Sequence, residues 1–337
     1  MSRRSRAAVL YNAPVLPAGH PDSASEADVV AVARVVSDAL TRSGFEARTV
    51  PAAPPVGRVL EALAGPIPDV VFNLIEGFGG WSGGEAWITG MLELLGLPYT
   101  GCPPEAQSLC RSKGRTKAML RGSGLPTAPS AVARPGGAVP VWDGPWPVIV
   151  KPESEDASLG IDGSSVVGSP GSMVEAVARI RGRHGGALIE AYLPGREFNV
   201  GVLALPDPIA LPVAEIVFDV PEGSWPILTY AAKWAEGSAE DLASRPRCPA
   251  DLGPDLAGRL AVLAVDAFRA TGCRDYARVD FRLDAGGAPM ILEVNPNPDI
   301  GPSAGWARAL RVSGRDYGET LVRLAVQARE RGAGHGR

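Results

Sequence analysis

Ala277-Arg278-Val279-Asp280-Phe281-Arg282-Leu283 and Met290-Ile291-Leu292-Glu293-Val294-Asn295 decide how this chain is read. Both stretches alternate apolar and polar residues, the period of a half-buried strand. Asp284-Ala285-Gly286-Gly287-Ala288-Pro289 lies between them, and a Gly-Gly pair is a strong signal for a two-residue hairpin turn. A turn centred on Gly286-Gly287 sets Asp280 opposite Glu293 and Arg278 opposite Asn295. Arg278, Asp280 and Arg282 share a face, and so do Glu293 and Asn295. Two carboxylates with Cβ atoms about 5 Å apart repel. A raised pKa on one acid or a bound cation relieves this. Two acids and an amide offer hard oxygen donors that suit Mg²⁺. An ordinary hairpin with its polar face in water is the competing reading. The continuation, Asn295-Pro296-Asn297-Pro298-Asp299-Ile300-Gly301-Pro302, is too rigid for a simple strand exit. Prolines fix φ and glycine opens it, which places backbone N–H groups around a reacting anion.

The 337 residues suffice for two or three units with their own cores. A composition of 45% hydrophobic and 21% charged residues is an ordinary globular balance. A net charge of −4 gives no case for nucleic acid or an acidic membrane. No apolar run reaches membrane-spanning length. Met1 to Arg6 is basic, but the apolar stretch after it is short and broken by Asn12 and Pro14, so it reads as a first strand and not a targeting segment. Cys102, Cys110, Cys248 and Cys273 show no CxxC spacing, and three histidines make zinc unexpected. A cytoplasmic protein is expected. Only Lys113, Lys117, Lys151 and Lys233 are lysines among 33 Lys+Arg. A chain that writes its cations as arginine and keeps a lysine points to a compact ammonium, as at a phosphate contact.

Taken in order, the pattern predicts strands at Ala7–Asn12, Phe45–Val50 and Asp69–Asn73, with helices from Ser23 to about Ser43 and over Val56–Ala64. This βαβαβ unit implies a parallel sheet. No G-x-G-x-x-G or Walker A sequence is present. Gly77 to Gly84 reads as a flexible loop before a helix, Glu85 to Leu95, either ligand-facing or a plain connector. Ser112 caps a helix with Lys113 in its first turn, a placement that suits a nearby anion. Arg134 to Pro147 reads as a surface loop, and Trp146 to Lys151 as a strand ending in lysine. The polar loop Pro152 to Gly160, with Ser158, has the makings of a phosphate flap. Further strands are expected at Ser164–Val167, Ala187–Leu193, Arg196–Val202 and Ile209–Phe218, and helices at Ser169–Arg181 and Asp255–Thr271. Tyr230 to Cys248 reads as a long irregular region, a mobile lid.

Together these residues resemble the ATP-grasp superfamily and, within it, the D-alanine–D-alanine ligase family, over roughly residues 7 to 328. The motifs that carry the resemblance are Gly90 to Gly101, Val150-Lys151-Pro152, Glu190 through Glu197, and Ala277 through Asn295. It implies an α/β ATP-grasp fold in three parts. A Rossmann-like parallel-sheet unit spans 1–104, a small central α+β unit 105–188, and a larger C-terminal α+β unit 189–330, with a flexible tail at 331–337. Lys113 and Lys151 resemble the lysines on nucleotide phosphates, and Ser158 and Gly160 the phosphate loop. Glu190 and Leu193 resemble the residues that hold adenine, Glu197 the ribose acid, and Lys233 the lid lysine. Asp280, Glu293 and Asn295 resemble the ligands of Mg²⁺ (or Mn²⁺), with two ions expected. Arg278 resembles the arginine that steadies an acyl phosphate, and Glu26 the acid that holds the first substrate's amine. Lys117 has no such role.

The resemblance implies an ATP-dependent carboxylate–amine ligase acting on amino acids or amines, and a homodimer. Such chemistry needs cations for phosphoryl transfer and no nucleophilic Ser, Cys or His. The substrate side departs from the family. Tyr11-Asn12-Ala13-Pro14 replaces a Gly-Gly turn, and Phe72 to Gly84 is long and lacks the family's histidine. Asp156-Ala157-Ser158 stands for Gly-Ser-Ser, and Trp234 for a tyrosine. Pro296-Asn297-Pro298-Asp299, with Ser303 and Ala304 downstream, replaces the family's acceptor loop. An altered amino-acid specificity is therefore expected. An authentic D-alanine–D-alanine ligase and a non-catalytic ATP-binding relative are the alternatives.

Overall fold

Four apolar residues in a row, Ala7-Ala8-Val9-Leu10, make a strand that is buried on both faces. The structure is a computed structural model. It describes residues 3–14, 23–155, 158–235 and 237–334, with the side chains of residues 23–27, 234 and 333–334 outside that description. β1 (Arg6–Asn12), α1 (Ser23–Arg42), β2 (Glu46–Ala52), α2 (Val56–Ala64) and β3 (Val70–Leu74) form the expected parallel unit, in strand order β2-β1-β3. Gly44 ends α1 at φ +93°, where a side chain would be strained. α3 (Gly84–Leu94), α4 (Pro104–Arg111) and α5 (Lys113–Gly122) lead to a second sheet.

That sheet is antiparallel, in the order β4-β7-β5-β6, from β4 (Ser130–Ala133), β5 (Val148–Pro152), β6 (Val166–Val167) and β7 (Ala187–Ala191). α6 (Pro170–His184) covers it through Met173, Val177 and Ile180. The third sheet runs β11-β10-β8-β12-β13 with β9 on β8. Its elements are β8 (Glu197–Ala204), β9 (Pro208–Ala210), β10 (Ala214–Phe218), α7 (Tyr230–Trp234), α8 (Ala239–Leu242), β11 (Ser244–Arg247), α9 (Pro254–Ala270), β12 (Tyr276–Leu283) and β13 (Pro289–Asn295). Leu260, Ala264 and Phe268 of α9 pack on Val200, Val279 and Phe281. α10 (Gly305–Val312) and α11 (Tyr317–Gly334) return to the first sheet, where Leu310, Leu321 and Leu324 join Val9, Val36 and Phe72.

Several expectations are corrected. The strand read over Ile209–Phe218 is two, because Leu211-Pro212-Val213 separates β9 from β10 and proline has no N–H for a ladder. The first half of Ser164–Val167 belongs to a 3₁₀ turn, Gly163–Ser165, capped by Asp162, and only Val166–Val167 is strand. The region read as irregular up to Cys248 holds α7, α8 and the edge strand β11. The boundary placed at residue 188 falls inside β7, all of which pairs within the second sheet. The tail expected from residue 331 is helical through Gly334, and Arg331 is anchored. Its Nη1 and Nη2 donate to Asp275 at 2.6 and 2.9 Å, and Asp275 also accepts from Gly101 N at 2.9 Å. Residues 335–337 lie outside the described residues. Gly77–Gly84 is a tight turn, closed by Phe78 N–Trp81 O at 2.9 Å and Trp81 N–Phe78 O at 3.2 Å, in place of the expected flexible loop.

Candidate active site

The hairpin of β12 and β13 pairs Asp280 with Glu293 and Arg278 with Asn295, as the alternation requires. The turn itself differs. Leu283 faces Pro289 and Arg282 faces Met290, one residue off the expected register. A β-bulge between Asp280 and Phe281 takes up the difference and leaves Leu292 as the extra residue. Asp284 Oδ1 accepts from Gly286 N and Ala288 N, so the loop is closed by an aspartate rather than by the Gly-Gly pair alone.

The two acids do not meet unshielded. Asp280 accepts from Arg278 Nε and Nη2, both at 2.7 Å, and from Asn199 Nδ2 at 3.1 Å. Glu293 Oε2 lies 3.6 Å from Lys113 Nζ. Burial pushes Glu293 up, but Lys113, Lys151, Arg278 and Lys233 outweigh it and hold its carboxyl below the ordinary range. The expected repulsion is therefore corrected: side-chain cations already neutralise the pair. Among the described residues no cluster of three His, Cys, Asp and Glu side chains stands ready for a metal. The oxygen set here is two carboxylates and the Asn295 amide, whose Oδ1 also accepts from Asn297 N at 2.9 Å. This donor chemistry fits a hard divalent cation.

Lys113, Lys151, Ser158, Glu190, Leu193, Glu197, Lys233, Arg278, Asp280 and Glu293 all line one cleft. They come from several elements, with Arg278 and Asp280 sharing β12. Lys113 opens α5 behind the Ser112 cap, whose Oγ accepts from Arg115 N. Lys151 ends β5, and Glu190 lies beside it on β7. Ser158 holds φ +60°. Gly160 does not line the cleft; it sits at φ +73°, and a Cβ there would come within 2.8 Å of His184 Nε2. The loop residues Asp156 and Ala157 lie outside the described residues. Lys233 sits on α7, whose Tyr230 N donates to Ile161 O at 3.0 Å, just past Ser158 and Gly160. Glu197 is buried, and burial, only partly offset by Arg282 at 3.5 Å, pushes it up to about 7. Asn295 faces Arg278 across the hairpin but is not part of the cleft wall. Glu26 lies on α1 with its side chain outside the described residues.

Ile149, Tyr192 and Leu292 add apolar walls that the sequence reading did not single out. Arg282 is 5% exposed. It donates to Gly195 O at 3.0 Å and stacks on Tyr192 at 5.1 Å. Its place on the Asp280 face was the available signal. Lys117, given no role from sequence, is fully buried and ion-paired with Glu190, whose other oxygen is 2.6 Å from Lys151 Nζ.

A second cleft opens just past Asn295. Asp28, Glu76 and Asp299 line it with Leu74, Tyr276 and Asn297. Asn297 Nδ2 donates to Ile75 O at 2.7 Å, and Asn12 Oδ1 accepts from Glu76 N at 2.8 Å, which fixes the loop after β3. Glu76 is reached by solvent yet sits within the cleft. Desolvation there and the Asp299 charge push it up to about 7, against the opposing pull of Lys233. Asp28 is raised by the same two causes, in that order.

The D-ala D-ala ligase C-terminus family matches residues 142–326. The D-alanine–D-alanine ligase of Acidiphilium cryptum is 35% identical over 277 residues, 82% of this chain and 85% of that protein. The chain belongs to the D-alanine–D-alanine ligase family. The protein y4sG of Sinorhizobium fredii is also 35% identical, over 79% of this chain and 76% of its own length. A solved D-alanine–D-alanine ligase of Bacillus anthracis, complexed with ATP, superposes with a TM-score of 0.77 at 18% identity, covering 99% of this chain and 100% of that one. The fold is ATP-grasp, and the chain is an ATP-grasp ligase of this type. Among the described residues no helix is long and apolar enough to cross a membrane.

Proposed function

We propose that the protein joins a carboxylate to an amine through an acyl phosphate, releasing ADP and phosphate, and that its substrates are not a pair of D-alanines. One observation carries the reaction: four cations, Lys113, Lys151, Lys233 and Arg278, share a cleft with Asp280 and Glu293. A carboxylate oxygen attacks the γ-phosphorus of ATP while the bond to ADP breaks. The amine nitrogen then attacks the acyl carbon, the C–O bond to phosphate breaks, and the amine loses its proton. Lys113 and Lys151 hold phosphate oxygens, Lys233 reaches from α7, and Arg278 faces the charge that grows on the acyl oxygen. Leu193, Ile149 and Leu292 give the base an apolar slot, and Glu197 suits the ribose. Asp280, Glu293 and Asn295 would hold Mg²⁺ or Mn²⁺, two ions by the family pattern, which would neutralise phosphate charge. No Ser, Cys or His is needed.

The altered specificity is supported by the second cleft, where Asp28, Glu76 and Asp299 have no lining cation among the described residues. Acids so placed favour an amine substrate with a second positive charge. An authentic D-alanine–D-alanine ligase is the second reading, favoured by the names of the relatives. A homodimer belongs to the proposal, and sedimentation would test it. Hydroxylamine is the test of the reaction. With ATP, Mg²⁺ and the correct acid it should give a hydroxamate and one ADP per turnover. ADP formation without any hydroxamate, over a panel of D- and L-amino acids, would contradict the acyl-phosphate route.

A further inference from the structure

Lys113 and Lys117 are four residues apart on α5 and so project from one helix face. Lys113 ends beside Glu293, at the hairpin. Lys117 runs inward, is 0% exposed, and ends on the carboxylate of Glu190. Its ammonium also donates to Thr127 Oγ1 at 2.8 Å, and Ile291 O lies at 3.5 Å. Thr127 Oγ1 in turn donates to Ile291 O at 2.7 Å, and Ile291 N donates to Pro126 O at 2.9 Å. Lys117 is thus pinned at the seam between the second sheet and the strand that carries Glu293.

Glu190 stands between two ammonium groups, Lys117 on one oxygen and Lys151 on the other. Two positive charges against one negative leave an excess of one. A carboxylate facing Lys151 alone would cancel its charge and draw its ammonium away from the cleft. A buried carboxylate takes up whatever positive charge is nearest, because water cannot solvate it there. We propose that Lys117 is a positioning residue of the nucleotide site: it neutralises Glu190 from behind, so that the charge of Lys151 stays available to phosphate. The proposal rests on the ATP-dependent reading above. Burial lowers Lys117 to about 8, which still leaves it charged at neutral pH. Burial pushes Glu190 up, but Lys117 and Lys151 outweigh it and hold Glu190 below the ordinary range. Lys117 touches no substrate atom, since it does not line the cleft.

A charge-swap cycle read by nucleotide binding tests this. Lys117→Met keeps the length and apolar stem but removes the charge, and Lys117→Met/Glu190→Gln removes both charges. The probe is a non-hydrolysable ATP analogue with Mg²⁺, titrated calorimetrically into the full chain, with the melting temperature of each ligand-free variant recorded. Lys117→Met should weaken binding about tenfold. Adding Glu190→Gln should bring affinity back to within about threefold of wild type, even if the double variant melts lower. A double variant that binds no better than Lys117→Met would make the role purely structural and overturn the proposal, as would unchanged binding by Lys117→Met. Should Lys117→Met fail to fold, Lys117→Gln takes its place: it removes the charge but can still bond Thr127, it should weaken binding about tenfold, and unchanged binding overturns the proposal. A wild type that does not bind the analogue overturns the ATP-dependent reading itself, whereas wild-type binding with unchanged variants overturns this proposal alone.

Discussion

The two clefts on either side of Asn295 treat their acids in opposite ways. In the first cleft every acid on the hairpin has a cation: Asp280 has Arg278 and Glu293 has Lys113. In the second cleft Asp28, Glu76 and Asp299 face one another with no lining cation among the described residues, and Glu76 is pushed up to about 7. The first arrangement is balanced before any ligand arrives, because each hairpin acid already has its cation. The second keeps an electrostatic cost that a positively charged ligand would relieve. Desolvation and, after it, repulsion between carboxylates therefore act in the second cleft, not on the hairpin where the alternation alone suggested repulsion.

The sharpest break of this comparison is on the balanced side. Glu293→Gln should cut hydroxamate formation by about a thousandfold, since it takes an anionic oxygen from the phosphoryl-transfer site. Because Lys113 already neutralises Glu293, the metal-free variant should not melt higher than wild type. A rise in melting temperature would restore the picture of two repelling acids. Next in size is a paired acid that lines neither cleft. Asp275 is 1% exposed and bridges Arg331, Gly101 and Gln327. Asp275→Ala should cost about 3 kcal/mol in urea unfolding, the low end for a broken buried pair because Arg331 is 29% exposed. A loss below about 1 kcal/mol would mean that pairing, by itself, stabilises little here.

Glu197 sharpens the comparison through pH. Its folded pKa is about 7 against an ordinary 4.5, so its contribution is fully present below 4.5 and is lost as pH rises through about 7. Wild type should lose up to about 3 kcal/mol across that window, and Glu197→Gln should not. Urea unfolding at pH 5 and pH 8 measures the difference, and parallel curves would refute it. The smallest effect belongs to Asp299→Asn. It should change KM for the amine about tenfold while leaving KM for ATP within about twofold. A change confined to ATP would place Asp299 on the nucleotide side.

Much of the gathering of residues in the first cleft was legible because they announce themselves locally. A scarce lysine at the end of a strand and a period-two acid pair on a hairpin are both short-range signals. The Asp280–Glu293 pairing emerged correctly even though the turn lies one residue away, because the bulge at Leu292 offsets that shift. Lys117 also carried a local signal, four residues from Lys113, but its burial comes from Thr127 and Ile291, which are 10 and 174 residues away. The second cleft was not legible. Asn297 meets Ile75 across 222 residues, and no periodicity encodes a contact between two loops at that separation. The break at Pro212 was visible in the sequence. α10 and α11 went unassigned, although their apolar residues complete the core of the first sheet.

The most direct measurement compares substrates. Phosphate release with ATP and Mg²⁺ is followed for D-alanine with itself and for amine acceptors with and without a second positive charge, with the products weighed by mass spectrometry. The account predicts that kcat/KM for a doubly charged acceptor exceeds that for D-alanine, and that the preference shrinks in Asp299→Asn. If D-alanine paired with itself surpasses every other combination, the acidic cleft does not set specificity and the protein is a D-alanine–D-alanine ligase in substrate as well as in family.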